Sequence, residues 1–214
     1  MPTIDTSDMI CVHDVLRRAF SEAPFQIAMV SDGDVEHSER VASYIEEVLW
    51  LLRVHHEGED ELLYPLLALR APQSEAIFSA MEGQHAAVAA GLDAAGKAAR
   101  AFAGTASTAD GGSLATECRA LLGILAPHLS DEEIQVLPIA SQTITEQEWA
   151  ALPSHALSQY RGERLWLVLG LVFEAMPAAM QGAILAHVPP PVNDMWVSSG
   201  ARAFEEELAA IRGH

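Results

Sequence analysis

Two stretches of this chain repeat one spacing of ligand-type residues. Residues 55–65 read HHEGEDELLYP and residues 128–138 read HLSDEEIQVLP. Each gives a His, a Glu four positions on, and a Pro six positions after that. The sets are His55, Glu59, Pro65 and His128, Glu132, Pro138, offset throughout by 73 positions. Residues i and i+4 share a helix face, so each stretch aims one imidazole and one carboxylate the same way. Two such helices facing each other offer nitrogen and oxygen donors to a transition metal.

Helices must position these donors, and the composition supplies them. Half of the residues are hydrophobic and only 6% are aromatic. Ala and Leu dominate the apolar content, and no stretch shows sustained β-branched alternation, so an all-α protein is expected. Breaks in the pattern fall at SDGD (31–34), RAPQS (70–74), AGTASTADGGS (103–113), SQTITEQE (141–148) and HVPPPVND (187–194). Ser74 can cap a helix, and Thr145 with Glu148 forms a capping-box pattern. The third break reads as a flexible loop and the last as a rigid Pro-rich crossing segment. Four long helices follow, over about 7–30, 36–68, 74–102 and 113–140. Short connections predict an up-down-up-down four-helix bundle within residues 1–142. Shorter helices near 145–158, 161–182 and 198–212 would form a C-terminal helical extension, 143–214, packed on the bundle, because so short a segment builds a thin core alone.

Topology adds to the ligand set. In an up-down bundle the starts of helices one and three lie at the same end as the ends of helices two and four. His13 and His85, 72 positions apart, stand near those starts. His13, His55, Glu59, His85, His128 and Glu132 are therefore expected at one level, around a pseudo-two-fold axis. Four imidazoles and two carboxylates suit two ions, each taking two His, with Glu59 and Glu132 as bridges. Iron is the leading metal and manganese, alone or mixed with iron, the alternative; a closed zinc site wants four ligands, often Cys. No HExxH, P-loop, GxGxxG or GxSxG occurs. The Glu-x-x-His pair of ferritin-like centres occurs once, as Glu82 and His85, and reads as coincidence in an acidic chain.

Neighbouring residues have blander readings. His56 follows His55 by one position and so points about 100° away, as a surface group or one contacting a ligand. Tyr64 could hydrogen-bond a bridging carboxylate, but core packing is the better reading. Glu57, Asp60, Glu61, Asp131 and Glu133 read as solvated, or as acceptors for the second ring nitrogen of a ligating His. His37, His155, His187 and His214 carry no spacing argument and read as structural or exposed.

The remaining features set the context. Thirty acidic against 12 basic residues give a net charge of -18, which argues against nucleic acid or an anionic membrane as partner. Cys11 and Cys118 are isolated, as fits a reducing cytoplasm. MPTIDTSDMI has no basic segment followed by an apolar run, so no secretory signal is expected. LWLVLGLVF (165–173), between Arg164 and Glu174, is too short to span a bilayer and reads as a buried helix with Trp166, Leu167 and Phe173 on its core face. A cytoplasmic monomer or homodimer is expected.

With these residues in view, the chain resembles the hemerythrin-like, or HHE cation-binding, family. The matching features are His13 in VHDVLRR, HHEGEDELLYP, His85 in MEGQHAAV and HLSDEEIQVLP, over roughly residues 8–140. The resemblance implies a four-helix bundle around a non-haem centre of two iron ions, with an oxo, hydroxo or water bridge beside carboxylates. Carried over position by position, it implies His13, His55, Glu59, His85, His128 and Glu132 as ligands, with no catalytic residue beyond them. The C-terminal part resembles extensions of some bacterial members. One departure matters: oxygen-carrying hemerythrins place a second His four residues after the third-helix His, where this chain has Ala89. The resemblance then implies open positions on both metals, and reaction with dioxygen, hydrogen peroxide or nitric oxide rather than reversible carriage. An oxidoreductase of catalase-like or nitric oxide-reducing type is expected. The alternatives are an oxygen, nitric oxide or iron sensor acting through a partner, and a di-iron oxygenase on a small organic substrate.

Overall fold

A run of helices accounts for the chain. In order they are α1 (Ser7–Ala28), α2 (Val35–Gly58), α3 (Tyr64–Arg70), α4 (Glu75–Thr105), α5 (Thr108–Gln135) and α6 (Leu137–Thr143). Then follow α7 (Glu146–Trp149), α8 (Ala151–Gln159), α9 (Leu165–Ala175), α10 (Ala178–His187), α11 (Pro190–Met195) and α12 (Ala201–Arg212). No strand occurs among the described residues, so the all-helical expectation holds. This computed structural model describes residues 3–160 and 162–212, apart from the His187 side chain; the readings made for that side chain and for His214 lie outside the described residues.

The long helices start where their caps dictate. Asp34 accepts a hydrogen bond from the His37 N–H at 3.1 Å, after a turn that places Gly33 at φ 80°. Thr145 and Glu148 close the expected capping box at α7. Ser74 stands before α4 but makes no capping bond with its side chain.

The stretch 103–113 is not the flexible loop its composition suggested. Helix α4 runs to Thr105 and α5 begins at Thr108, leaving Ala106 and Ser107 as the turn. The small polar residues bond one another there: the Thr105 and Ser107 hydroxyls donate to Asp110 at 2.6 and 2.8 Å. Ala106 takes the left-handed conformation, φ 49°, that ends α4. Gly111 then lets α5 begin close against its neighbours, since a Cβ there would lie 3.1 Å from Phe102 and 3.2 Å from Ile27. Likewise HVPPPVND is largely helical, because Pro190 stands in the first turn of α11, where its missing N–H costs nothing.

Helices α1, α2, α4 and α5 enclose the core, α1 packing on α2 and α5, and α4 on α2 and α5. Two apolar clusters fill it. One holds Leu16, Phe20, Leu52, Val88 and Leu125, and the other Met9, Leu63, Met81, Val136 and Trp149. Along α1 and α4 the chain passes from the second cluster to the first. Along α2 and α5 it passes the other way. Between the clusters each helix contributes a polar layer, and that layer is the site described below.

Two interruptions flank this layer. The expected second helix, through residue 68, is divided: α2 stops at Gly58, and a wide turn over Glu59–Leu63 leads into α3. In that turn the Tyr64 N–H reaches the Glu59 carbonyl, five residues back rather than four. Pro65 follows in the first turn of α3, and Pro138 in the first turn of α6, where each restarts a helix it could not continue. The repeated Pro of the sequence motif thus marks where each ligand-bearing helix gives way.

Past residue 145 the short helices pack on the outside of the long ones. Helix α8 lies on α2 and the wide turn, α9 on α1 and α2, and α12 on α9. Leu167, Val168, Leu171 and Phe173 bury the apolar face of α9, as its composition required. No helix among the described residues is long and apolar enough to cross a membrane.

Candidate metal centre

The polar layer holds seven side chains of ligand type. His13, Glu59, His85, His128 and Glu132 are all buried, the two carboxylates completely. His55 joins them with its side chain 6% exposed. The seventh is His56, which is buried and whose ring stacks on His85, centroids 4.0 Å apart and planes 12° apart.

Of the two readings of His56, this corrects the one as a surface group and agrees with the one as a group contacting a ligand. A step of 100° would turn it outward only if His55 faced the bundle axis squarely. Instead the interior direction falls between the two. Glu59, at i+4 from His55 and i+3 from His56, stands in that same interior direction. Both rings therefore reach in, one on either side of Glu59.

The donors form two groups, in each of which the ligand atoms lie within 4.8 Å of one another. One is His13, His55, Glu59 and Glu132; the other is His56, Glu59, His85 and His128. Glu59 belongs to both. Its Oε1 lies 3.2 Å from His55 Nε2 and its Oε2 3.5 Å from His85 Nε2, so each oxygen faces one group. Glu132 belongs to one group only, with Oε2 3.4 Å from His13 Nε2. Its other oxygen accepts a hydrogen bond from the Tyr64 hydroxyl at 3.3 Å.

Outer groups fix the rings. His13 Nδ1 bonds Glu133 at 2.8 Å, His85 Nδ1 bonds Asp60 at 2.8 Å, and His128 Nδ1 bonds the side-chain oxygen of Gln84 at 2.9 Å. A carboxylate or amide oxygen only accepts, so each of these Nδ1 atoms carries the proton and each Nε2 presents its lone pair inward. Arg17 holds Glu133 at 2.8 Å, and Gln84 reaches Asp131 at 3.4 Å. Of the other acidic neighbours, Glu57 is exposed and Glu61 lies 3.9 Å from His155 rather than at the centre. Glu82 and Ala89 are both exposed on α4, outside the layer. Gln84 is not among the residues expected from the sequence, because a neutral amide lacks the charge that marks Asp and Glu as acceptors; its position just before His85 is the available signal.

Five imidazole Nε2 atoms, both Glu59 oxygens and Glu132 Oε2 are buried without any hydrogen-bond partner. Unpaired polar atoms at such depth each cost on the order of 1–3 kcal/mol. Eight converging on one layer fit cations that would pair them. Three of the rings are already in the ligating form. Burial, aided by His13, lowers His55 to about 3; burial also takes His128 down to about 4 and His56 well below its ordinary range. These rings are neutral at pH 7, the form that ligates. Burial and the facing Glu132 push Glu59 well up, whereas Glu132, despite burial, is held down at about 2 by the facing His13 imidazole. His13 is raised, the facing Glu132 carboxylate and the bond to Glu133 outweighing burial. Burial and the two carboxylates keep the Tyr64 hydroxyl protonated.

Comparison with known proteins agrees with this geometry. The family described as "Hemerythrin HHE cation binding domain" matches residues 7–140. No curated protein and no solved structure matches the chain.

Proposed function

The chain belongs to the hemerythrin HHE cation-binding domain family, and on that premise we propose that it holds two iron ions and reacts with dioxygen, hydrogen peroxide or nitric oxide. One observation carries the reading: the eight buried, partnerless donor atoms that fall into two groups sharing Glu59. Iron suits their mixture of imidazole and carboxylate, with manganese next. The alternating course of α1, α2, α4 and α5 between the two apolar clusters supports an up-down-up-down bundle around the pair.

His13, His55 and Glu132 would hold one ion, His56, His85 and His128 the other, and Glu59 both. Bound iron would supply the redox change and the open positions for a small ligand. Asp60, Glu133 and Gln84 hold protons on the outer ring nitrogens and keep the inner ones free. Burial of the layer excludes bulk water and any substrate much larger than a diatomic or peroxide, which disfavours an oxygenase of organic molecules. Ala89 no longer decides between carriage and turnover, because His56 supplies a fifth imidazole from α2. The even division does: each group offers four donors, fewer than the six an octahedral ion would take. That favours peroxide or nitric oxide handling over reversible carriage.

A sensing role has one observation in its favour. Helix α8 seats directly on the ligand-bearing segment, with His155 and Leu152 against Gly58, one residue before Glu59. A change in the centre would press on α8 and through it on the C-terminal helices.

Metal analysis of freshly purified protein, with ultraviolet–visible spectra before and after reduction and exposure to each oxidant, tests both readings. The expected result is iron filling both groups, near-ultraviolet charge-transfer absorption, and sustained consumption of peroxide or nitric oxide. A single stoichiometric spectral change without turnover would favour sensing. A colourless protein that takes up only zinc would defeat the redox reading.

A further inference from the structure

The two carboxylates of the centre are not equivalent. Glu59 has both oxygens buried and unpaired, one toward His55 and one toward His85. Glu132 has one such oxygen, Oε2; its Oε1 takes the Tyr64 hydroxyl at 3.3 Å. An oxygen occupied by a hydrogen bond is a weaker donor to metal, and its carboxylate is turned by the bond. We propose that Tyr64 is a positioning residue: by engaging Glu132 Oε1 it would leave Glu132 offering only Oε2, to the group of His13 and His55, so that Glu59 alone would offer an oxygen to each group. This rests on the dinuclear reading above. It replaces the symmetric pair of bridges expected from the doubled motif.

Tyr64 is built to do this. It is 1% exposed, and its ring is stacked between His85, at 5.6 Å and 30°, and Phe78, at 6.3 Å and 23°. The wide turn over Glu59–Leu63 brings it there. With its N–H on the Glu59 carbonyl, Tyr64 sits one enlarged turn beyond Glu59 instead of about 140° around from it, as five α-helical steps would give. Its hydroxyl thus crosses the layer from the α2 side to the Glu132 carboxylate on α5. The motif that repeats in α5 has Leu137 at the corresponding position, so no hydroxyl approaches Glu59 from that side. The asymmetry is therefore written in the chain: a Tyr before one Pro and a Leu before the other.

The consequence is a pair of unlike metal positions. One would draw on two imidazoles, Glu59 and Glu132, and the other on three imidazoles and Glu59.

The test uses the full chain loaded with iron-57, as wild type and as Tyr64→Phe, Glu132→Gln and Glu59→Gln, each checked for folding by circular dichroism. Metal content, Mössbauer spectra and infrared carboxylate bands are read. Wild type is expected to show two distinct iron signals of equal weight. Tyr64→Phe should keep both ions, bring the two signals closer, and narrow the splitting of the Glu132 carboxylate bands as Oε1 is freed to bridge. Glu132→Gln should weaken one position and spare the other, whereas Glu59→Gln should weaken both. Unchanged bands and signals in Tyr64→Phe, or equal damage from the two Glu variants, would overturn the proposal. So would an intense visible band in wild type that Tyr64→Phe abolishes, since Tyr64 would then itself ligate iron. A wild-type chain that takes no metal would overturn the dinuclear reading and this proposal together, an outcome distinct from a loaded chain indifferent to Tyr64.

Discussion

His56 stacks on His85 with ring centroids 4.0 Å apart and planes 12° apart, so consecutive histidines of α2 face different donor groups. If His56 is a ligand, His56→Ala should damage metal binding as much as His85→Ala or His128→Ala. The loss should exceed the roughly 10–100-fold in affinity that removal of an outer partner costs. Competition against a chelator of known affinity measures it. A His56→Ala protein with wild-type affinity would return this residue to a packing role.

The outer partners make a graded set. Asp60 and Glu133 bond His85 and His13 through carboxylates, whereas Gln84 bonds His128 through a neutral amide. A carboxylate raises the basicity of the ring it holds more than an amide does. Asp60→Asn and Glu133→Gln should therefore each lower metal affinity by roughly 10–100-fold, while Gln84→Glu should raise it. The same competition assay checks all three. Affinity that falls in Gln84→Glu would show that ring basicity is not what these residues control.

These residues also show what the sequence could and could not disclose. The pairs His55–Glu59 and His128–Glu132 were legible because i and i+4 share a face on any helix. His13 and His85 followed once connection lengths set the direction of each helix. His56 was not legible, because its orientation depends on where the bundle axis falls between two adjacent side chains, a property of the packed helices. For Tyr64 the sequence leaves a hydrogen bond to a carboxylate open beside core packing, and the structure shows both, with the hydroxyl on Glu132 at 3.3 Å; the wide turn that brings it there has no plain mark in EDELL. The tight turn at 106–107 is not legible in the sequence, since Ser, Thr, Asp and Gly suit loops and helix caps alike.

Metal should contribute measurably to stability, because the buried inward donor atoms have no hydrogen-bond partner within the protein. A ligand at a hundred times its dissociation constant stabilises by about 2.7 kcal/mol. For a chain of this size that is on the order of 5–10 °C in Tm. Thermal unfolding with and without a chelator reads this directly. Coincident melts of a metal-loaded and a stripped sample would mean that the layer is satisfied in some other way.

A pH dependence is expected away from the centre. Glu148 takes a two-pronged bond from Arg70, at 2.6 and 2.7 Å, and also closes the capping box of α7. The Arg70 bonds, with those from Thr145, lower its pKa from 4.5 to about 2. The folded pKa lies below the unfolded one, so this stabilisation is complete above 4.5 and disappears as pH falls toward about 2. Urea unfolding of metal-free wild type and Glu148→Gln should give a difference in midpoint at pH 7 that shrinks across that window. A difference independent of pH would assign the effect to the cap geometry alone.

The packing of the C-terminal helices makes the last prediction. A Cβ added at Gly170 in α9 would run into the Phe204 ring of α12, whereas one at Gly182 in α10 would meet nothing within 4 Å. Phe204, Leu208 and Ile211 are the buried residues of α12, so displacing the ring loosens the whole contact. Gly170→Ala should cost about 1–3 kcal/mol by overpacking. Gly182→Ala should be neutral or stabilise by about 0.5–1 kcal/mol, since Ala favours a helix interior over Gly. Amide hydrogen exchange should accelerate in α9 and α12 of Gly170→Ala only. Metal content should hold in both variants, because the ligand layer lies on α1, α2 with the wide turn that follows it, α4 and α5. Equal tolerance of the two substitutions would mean that α12 does not rest on α9 through Phe204. Loss of metal in Gly170→Ala would instead show that the C-terminal helices and the centre are coupled, the arrangement a sensor requires.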